Sequence, residues 1–361
     1  MAFLSLRKGR QLVGVDVGTG AIKVALLKGG RNKFVLEKLG ISEVPQGTFQ
    51  GGLIADMNTL VDVLKALWRN LDLGKTPAAV AISGKEVIID TPELEISGKM
   101  GRNFYARMRE QAREYIQYPL DELYFDCDIL SSAGSNSGKA LMLLACVKKA
   151  ILDDLVLLFR RAEIGLSVVD ISYYALFNGF ETISGLVKRD GVIGIMNVGA
   201  TSTDLVISVD GIPRHCRTVM RGMDDLIFQV ADTLGVSFEE VQGSFRGSGI
   251  LQTVPEKDFK ETVSYALEQW LGEVKGNIDY LRDFGGLSEI EDFFVCGGPA
   301  CMSGFETVVK KYVGVRSCRI YNPIEGLSLG KNIDRNYAIS VGPQFGVAIG
   351  LALRKEGDKK I

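Results

Sequence analysis

Apolar and polar positions along this chain follow two different periods. Residues 12–17 form a short apolar run, Gly18-Thr19-Gly20 interrupts it, and 22–27 resume it with branched side chains, which predicts a β-hairpin with a glycine-rich tip. Residues 59–71 carry Leu60, Val63, Leu64, Leu67, Trp68 and Leu71 at helical spacing, a single apolar stripe that must face a core. Strands are predicted over 78–90 and a helix over 104–118. A half-buried strand follows over 123–129, with Leu123, Phe125, Cys127 and Ile129 inward and Tyr124, Asp126 and Asp128 outward. A Ser/Gly/Asn-rich loop over 131–139, an apolar strand over 140–147 and a helix to about residue 163 complete this part.

From Gly191 the opening pattern returns. Residues 192–198 are apolar, Gly199-Ala-Thr-Ser-Thr203 forms a tip, and 205–209 lead away. Asp16-Val-Gly-Thr-Gly20 and Asn197-Val-Gly-Ala-Thr201 are matching corners 181 positions apart, so the chain is expected to hold two related α/β halves facing each other. Helices are predicted over 223–234 and from Ser237, where Ser237-Phe-Glu-Glu240 fits a capping box. A long amphipathic stretch spans 259–281. A short strand over 293–295 runs into the turn Gly297-Gly298, and Pro299 stands where the first turn of a helix tolerates proline.

Composition narrows the chemistry. The 361 residues give length for about two domains. Lys plus Arg number 42 against 44 for Asp plus Glu, a net charge of −2 with no long run of one sign, which argues against nucleic acid as a partner. The single histidine, His215, excludes a multi-histidine metal site and reads as an ordinary strand residue. Six cysteines without a C-x-x-C pair read as reduced, mostly core thiols of a cytoplasmic chain, and Trp68 and Trp270 as core. The longest apolar runs, 140–147 and 345–353, are about half the roughly 18 residues a membrane span needs. Glycine is abundant, 42 residues against a usual share of about 7%.

Two familiar phosphate motifs fail. Gly74-Lys75-Thr76 lacks the P-loop glycine five positions earlier, where Arg69 stands, and Lys23 replaces the third glycine of a dinucleotide fingerprint begun at Gly18. What remains is Asp16, Gly18, Thr19, Gly20 and Lys23 at one tip opposed by Gly199, Ala200, Thr201, Ser202 and Thr203 at the other. Glycines let backbone amides turn toward an anion, hydroxyls add donors, Lys23 adds positive charge, and Asp16 suits a hydrated magnesium ion. Gly297, Gly298 and Pro299 form a helix entry open enough for an adenine ring.

These three parts resemble the phosphate-1, phosphate-2 and adenosine motifs of the actin-like ATPase superfamily. Within it the chain is similar to the PilM family of type IV pilus assembly, itself similar to the cell-division protein FtsA. The likeness runs over nearly the whole chain. It is carried by Gly14-Val-Asp-Val-Gly18 with Ile22-Lys23, by Glu114-Tyr-Ile116 leading to Tyr124-Phe-Asp126, and by Val169-Asp-Ile171. Further along it is carried by Gly235-Val-Ser-Phe-Glu-Glu240, Asn322-Pro-Ile324 and Gly350-Leu-Ala-Leu-Arg354.

The resemblance implies an actin-like α/β fold of two lobes, 1–190 and 191–361, with a nucleotide cleft between them and a small inserted subdomain at about 40–150 in the first. It implies ATP or ADP with Mg2+ in the cleft, held by the tip residues, the adenosine turn, Asn197, Gly222 and Glu239, with Asp16 toward the metal. It implies a scaffold of the pilus inner-membrane platform that binds the cytoplasmic tail of a bitopic, PilN-like partner and other platform proteins, and meets the membrane only through that partner. In the family the tail lies between the inserted subdomain and the neighbouring lobe, and Tyr115, Ile116 and Tyr118 are the expected docking residues. The tail at 353–361 does not supply an FtsA-like amphipathic anchor. Where the family has Asp, this chain has Asn197, and where it has Glu-Pro after Val169-Asp170-Ile171, this chain has Ser172-Tyr173. Asn is no base, so little or no ATP hydrolysis is expected. An active ATPase or a sugar kinase of the superfamily is the alternative.

Overall fold

The computed structural model describes residues 10–30, 33–83, 87–96, 102–132, 139–186, 191–245 and 254–357. Residues 133–138 of the expected loop and 358–361 of the tail lie outside them. The chain opens with β1 (Val13–Val17), β2 (Ala21–Gly30), β3 (Lys33–Glu43), the two-residue strands β4 (Phe49–Gln50) and β5 (Leu53–Ile54), α1 (Met57–Asn70), β6 (Ala78–Ile82) and β7 (Val87–Asp90). Next come β8 (Glu93–Glu95), α2 (Arg102–Ala112), β9 (Leu123–Ser132), β10 (Lys139–Lys148), α3 (Lys149–Arg161), β11 (Leu166–Ile171) and α4 (Ser172–Ser184). The second half brings β12 (Val192–Val198), β13 (Thr203–Val209), β14 (Ile212–Val219), α5 (Met223–Leu234), α6 (Phe238–Phe245) and α7 (Glu256–Gly285). It ends with β15 (Asp292–Gly297), α8 (Phe305–Val309), β16 (Cys318–Ile320), β17 (Ser328–Leu329), α9 (Arg335–Val341) and α10 (Gly346–Ala352).

Two large mixed sheets carry the repeat. One orders its strands β11-β6-β1-β2-β3-β17, the other β14-β13-β12-β15-β16. In each, the glycine-tipped hairpin is antiparallel, β1 with β2 and β12 with β13, and its first strand takes a parallel neighbour on the other side, β6 or β15. Parallel neighbours bury both faces, which explains the near-continuous apolar runs at 12–17 and 192–198. α1 begins where Asp56 accepts the Thr59 N–H at 3.0 Å, and its stripe of Leu60, Leu64, Leu67 and Trp68 packs on the first sheet together with α3. α7 lays Trp270, Leu271, Val274 and Ile278 on the second.

A third core joins the two sheets through α4 and α10. Phe180 of α4 is fully buried, its ring 4.7 Å from that of Phe294 and 5.0 Å from that of Tyr321. α10 packs so close to its neighbours that side chains are excluded. A Cβ on Gly350 would stand 1.8 Å from the Ala175 carbonyl oxygen, and one on Gly14 of β1 would stand 1.9 Å from that of Ala348. Glycine at both positions lets backbone meet backbone.

The small sheet is separate. β10 pairs with β9 along its length and with β7 and β8 toward its two ends, and α2 covers it over a core of Phe104, Met108, Leu123, Cys127, Met142 and Leu144. The expected boundaries change accordingly. The insert of about 40–150 narrows to a unit from Val87 to Lys148, because α1 and β6 pack and pair within the first large sheet. The second lobe expected over 191–361 gives its end back: β17 pairs with β3, and Phe345, Ala348, Ile349 and Leu353 pack on Ala25, Leu27 and Leu36 of the first sheet. The helix expected over 104–118 stops at Ala112. All six cysteines are free thiols, and Trp68 and Trp270 are buried.

Gly350→Ala forces carbon into backbone. Overpacking of this kind costs about 1–3 kcal/mol or more, so urea unfolding is expected to show a clearly lowered midpoint. Gly276→Ala, on an open face of α7 where an added carbon meets nothing within 4 Å, is expected to leave the midpoint unchanged or raise it.

Candidate functional site

Both hairpin tips close with the same bond. The Gly18 N–H donates to the Ala21 carbonyl at 3.1 Å, and the Gly199 N–H to the Ser202 carbonyl at 2.9 Å. No hydrogen bond engages the N–H groups of Thr19, Gly20, Ala200 or Thr201 among the described residues, so these donors are available to an anion. The tips face each other and touch: the hydroxyls of Thr19 and Thr201 lie 2.9 Å apart. Asp16 and Lys23 are opposite each other across β1 and β2, and Lys23 Nζ donates to Asp16 Oδ2 at 3.1 Å, with side chains only 20% and 16% exposed. The expected anion-binding and metal-binding groups are therefore together at one place.

The floor of this place holds a carboxylate that the sequence did not single out. Asp204 stands directly across the second hairpin from Asn197. It is buried, with Oδ2 accepting from the Ser172 hydroxyl at 2.8 Å and Oδ1 from the Thr218 hydroxyl at 2.7 Å. Burial pushes its carboxyl above the ordinary range, the two hydroxyl bonds oppose that, and the charge of Asp16 adds to it. Ser172 is thus a buried partner of Asp204. Asn197 is half-buried, and its Oδ1 accepts a weak bond from the Cys296 thiol at 3.6 Å.

The remaining expected residues divide by role. Gly222 supports the tip from behind: a Cβ there would meet the Ala200 carbonyl oxygen at 2.2 Å, and the Met223 and Asp224 N–H groups donate to the carbonyls of Gly199 and Ala200 at 3.0 and 2.8 Å. Thr203 is buried, its hydroxyl bonded to the Arg221 carbonyl at 2.8 Å. Gly297 has φ +95°, and a Cβ there would stand 2.1 Å from the Val198 carbonyl oxygen. Gly298 is exposed and faces open space, while Pro299 is buried in the first turn of the short 3-10 helix Gly298–Cys301. Glu239 is exposed on α6, next to the Ser237–Glu240 capping box that forms as expected. His215 is a half-buried residue of β14.

A second feature lies between the small sheet and the first large one. An apolar cavity of about 280 Å3 is walled by β9 and β10, by β11 and by one face of α4 that includes Phe177, Asn178 and Glu181. The expected docking residues are elsewhere. Ile116 is buried in the core under α2, and Tyr115 and Tyr118 are exposed without lining the cavity, the Tyr118 ring lying 5.7 Å from Lys148 Nζ. The cause is the early end of α2, after which 113–118 turn across the small sheet instead of extending a helix.

Because burial raises Asp204, the unfolded chain ionises this group at lower pH than the folded one. Its contribution to stability is intact below the ordinary carboxylate range and is lost as pH rises from about 4 toward the raised value. Asp204→Asn is therefore expected to flatten the fall in melting temperature of the wild type between pH 4 and pH 7. Thermal melts across that range check it.

The sequence model of the family described as type IV pilus assembly protein PilM matches residues 14–356. Among solved structures, one described as the PilM-PilN type IV pilus biogenesis complex superposes with a TM-score of 0.82 at 22% identity, covering 95% of this chain and 98% of that one. The ethanolamine utilization protein EutJ from Carboxydothermus hydrogenoformans superposes with a TM-score of 0.55 at 15% identity, covering 96% and 90%. The fold is the actin-like one. With the family's pattern spanning nearly its whole length, the chain belongs to the type IV pilus assembly protein PilM family.

Proposed function

We propose that this chain is a nucleotide-binding scaffold of the type IV pilus inner-membrane assembly platform that holds the cytoplasmic tail of a single-span, PilN-like partner. The observation that carries the proposal is the cavity between the small sheet and α4, a largely apolar slot walled by β9 and β10, which suits an extended peptide. A structurally similar chain has been solved in a PilM-PilN complex, which supports a partner of that kind. No helix among the described residues is long and apolar enough to cross a membrane, and attachment through a partner's tail supplies a route to the bilayer.

The cleft residues fit a magnesium nucleotide. Unengaged N–H groups at Thr19, Gly20, Ala200 and Thr201 and the Lys23 ammonium suit phosphate oxygens, and the open space at Gly298 suits a base. Asp16 suits a magnesium ion that keeps most of its water shell, since no group of three ligating side chains occurs among the described residues. The touching hydroxyls of Thr19 and Thr201 would part to admit the phosphates. Hydrolysis is expected to be slow. A kinase or brisk ATPase needs a carboxylate positioned as a base, whereas Asp204 is buried with both oxygens occupied and Asn197 cannot take a proton.

Calorimetry with Mg-ATP and Mg-ADP is expected to show binding by the wild type. Losing a charge-assisted contact costs about 1.5–3 kcal/mol, so Lys23→Ala should weaken binding at least about tenfold. Gly298→Val should block the base while leaving the fold intact. No thermal shift with millimolar nucleotide contradicts this half of the proposal, and brisk turnover abolished by Asp16→Asn favours the ATPase reading.

Flotation tests the other half. Protein-free anionic vesicles are expected to leave the chain in solution, and vesicles displaying the partner's tail to carry it upward. Strong binding to the bare vesicles contradicts recruitment through a partner.

A further inference from the structure

The described chain begins beside the cavity. Its first residue is Arg10, whose carbonyl accepts the Glu356 N–H at 3.3 Å, next to an antiparallel bridge between Gln11 and Lys355. Two residues before Glu356 stands Arg354, whose guanidinium pairs with Asp170 of β11, and both line the cavity. Two residues of chain span at most about 7 Å. The point where residues 1–9 join the fold is therefore close to that wall.

Those nine residues, Met1-Ala-Phe-Leu-Ser-Leu-Arg-Lys-Gly9, lie outside the described part of the chain. Extended, nine residues reach about 30 Å, enough to enter the cavity from that point. Their side chains match the lining. Phe3, Leu4 and Leu6 are large and apolar, and Arg7 and Lys8 follow at once. The lining is mainly apolar, and its charged groups are four carboxylates, Asp126, Asp128, Asp170 and Glu181, against the guanidinium of Arg354.

Size and charge agree with each other. An apolar cavity of about 150 Å3 admits one benzene-sized group, so this one, at about 280 Å3, has room for about two large side chains. Burial raises the Glu181 carboxyl, and the positive charge of the chain's N-terminus works against that rise. A basic segment with apolar anchors and an acidic, apolar slot thus stand within reach of each other.

We propose that residues 1–9 form an intramolecular plug: in the chain without a partner, Phe3, Leu4 and Leu6 enter the cavity between the small sheet and α4, and Arg7 and Lys8 face its carboxylates. With the cavity read as the partner's dock, on which this consequence rests, the plug competes with the partner's tail. A segment tethered so close has an effective concentration on the order of 1 mM. At a dissociation constant of about 100 µM it fills the slot about nine-tenths of the time and weakens a competing peptide about tenfold. Occupancy at that level yields to a tighter segment, which adds protection where it displaces the plug.

The test uses the full chain with the photoreactive side chain of benzoylphenylalanine in place of Phe3. Crosslinks within one molecule are expected at cavity-lining residues of β9, β11 or α4. Ala145→Trp, which fills the cavity from β10, should abolish them, with Ala145→Leu in reserve if the first variant does not fold. Arg7→Glu combined with Lys8→Glu should lower their yield about threefold. Crosslinks that map outside the cavity, that survive its filling or that form only between molecules overturn the plug.

Anisotropy reads the competition. A labelled peptide of residues 1–9 is expected to bind the full-length triple variant Phe3→Ser, Leu4→Ser, Leu6→Ser about tenfold more tightly than the wild type, and the partner's tail peptide to do the same. Tail binding that is lost in Ala145→Trp but equal in the wild type and the triple variant leaves the dock standing and overturns this inference. Crosslinks that vanish in Ala145→Trp while tail binding ignores that substitution support the plug and overturn the dock.

Discussion

The contact on which the rest of the molecule depends is the close packing of α10 against β1 and α4. Backbone atoms meet where Gly350 touches Ala175 and Gly14 touches Ala348, with no room for a side chain at either glycine. Packing at this density fixes position to a fraction of an ångström because no adjustable side chain lies between. α4 is thereby held between the two large sheets, although α10 belongs to the chain's last segment and β1 to its first. Its first residue, Ser172, bonds the buried Asp204 at the floor of the cleft, and one face of it lines the cavity beside the small sheet. One rigid helix therefore borders both places where this chain is expected to bind something.

The cleft gathers groups that suit a phosphate. Two tips with unengaged amides, one lysine and one partly exposed carboxylate suit binding. The second carboxylate, Asp204, is withdrawn into the floor and occupied by two hydroxyls, and the amide of Asn197 stands across the hairpin from it. Binding energy spent equally on substrate and transition state tightens a complex without speeding a reaction. A nucleotide held this way would act as part of the structure, bracing one lobe against the other.

Much of this was legible in the sequence, and what was not has identifiable causes. The two hairpins announced themselves because the glycine corners repeat 181 positions apart, and α5 spans the predicted 223–234. Asp204 was hidden because it reads as one polar residue at the start of an apolar strand, while its bonding partners are contributed by residues 172 and 218. The return of β17 and α10 to the first sheet left no local trace, since an apolar run at 345–353 records that it is buried and not by what. The placement of Tyr115, Ile116 and Tyr118 was equally hidden: the helix ends at Ala112, so Ile116 joins the core of the small unit while Tyr115 and Tyr118 stay exposed.

The central claim is that the slot between the small sheet and α4 receives the partner's segment. Amide hydrogen exchange on the whole chain, with and without the partner's cytoplasmic tail peptide, tests it most directly because bound backbone loses access to solvent wherever it lies. The account expects new protection concentrated in β9 around Cys127 to Leu130, in β11 and along α4 from Tyr174 to Glu181, with α5, α6 and α7 unchanged. Protection confined to the exposed aromatic surface of Phe228, Tyr265 and Tyr280, with β9 and α4 exchanging as before, would contradict it.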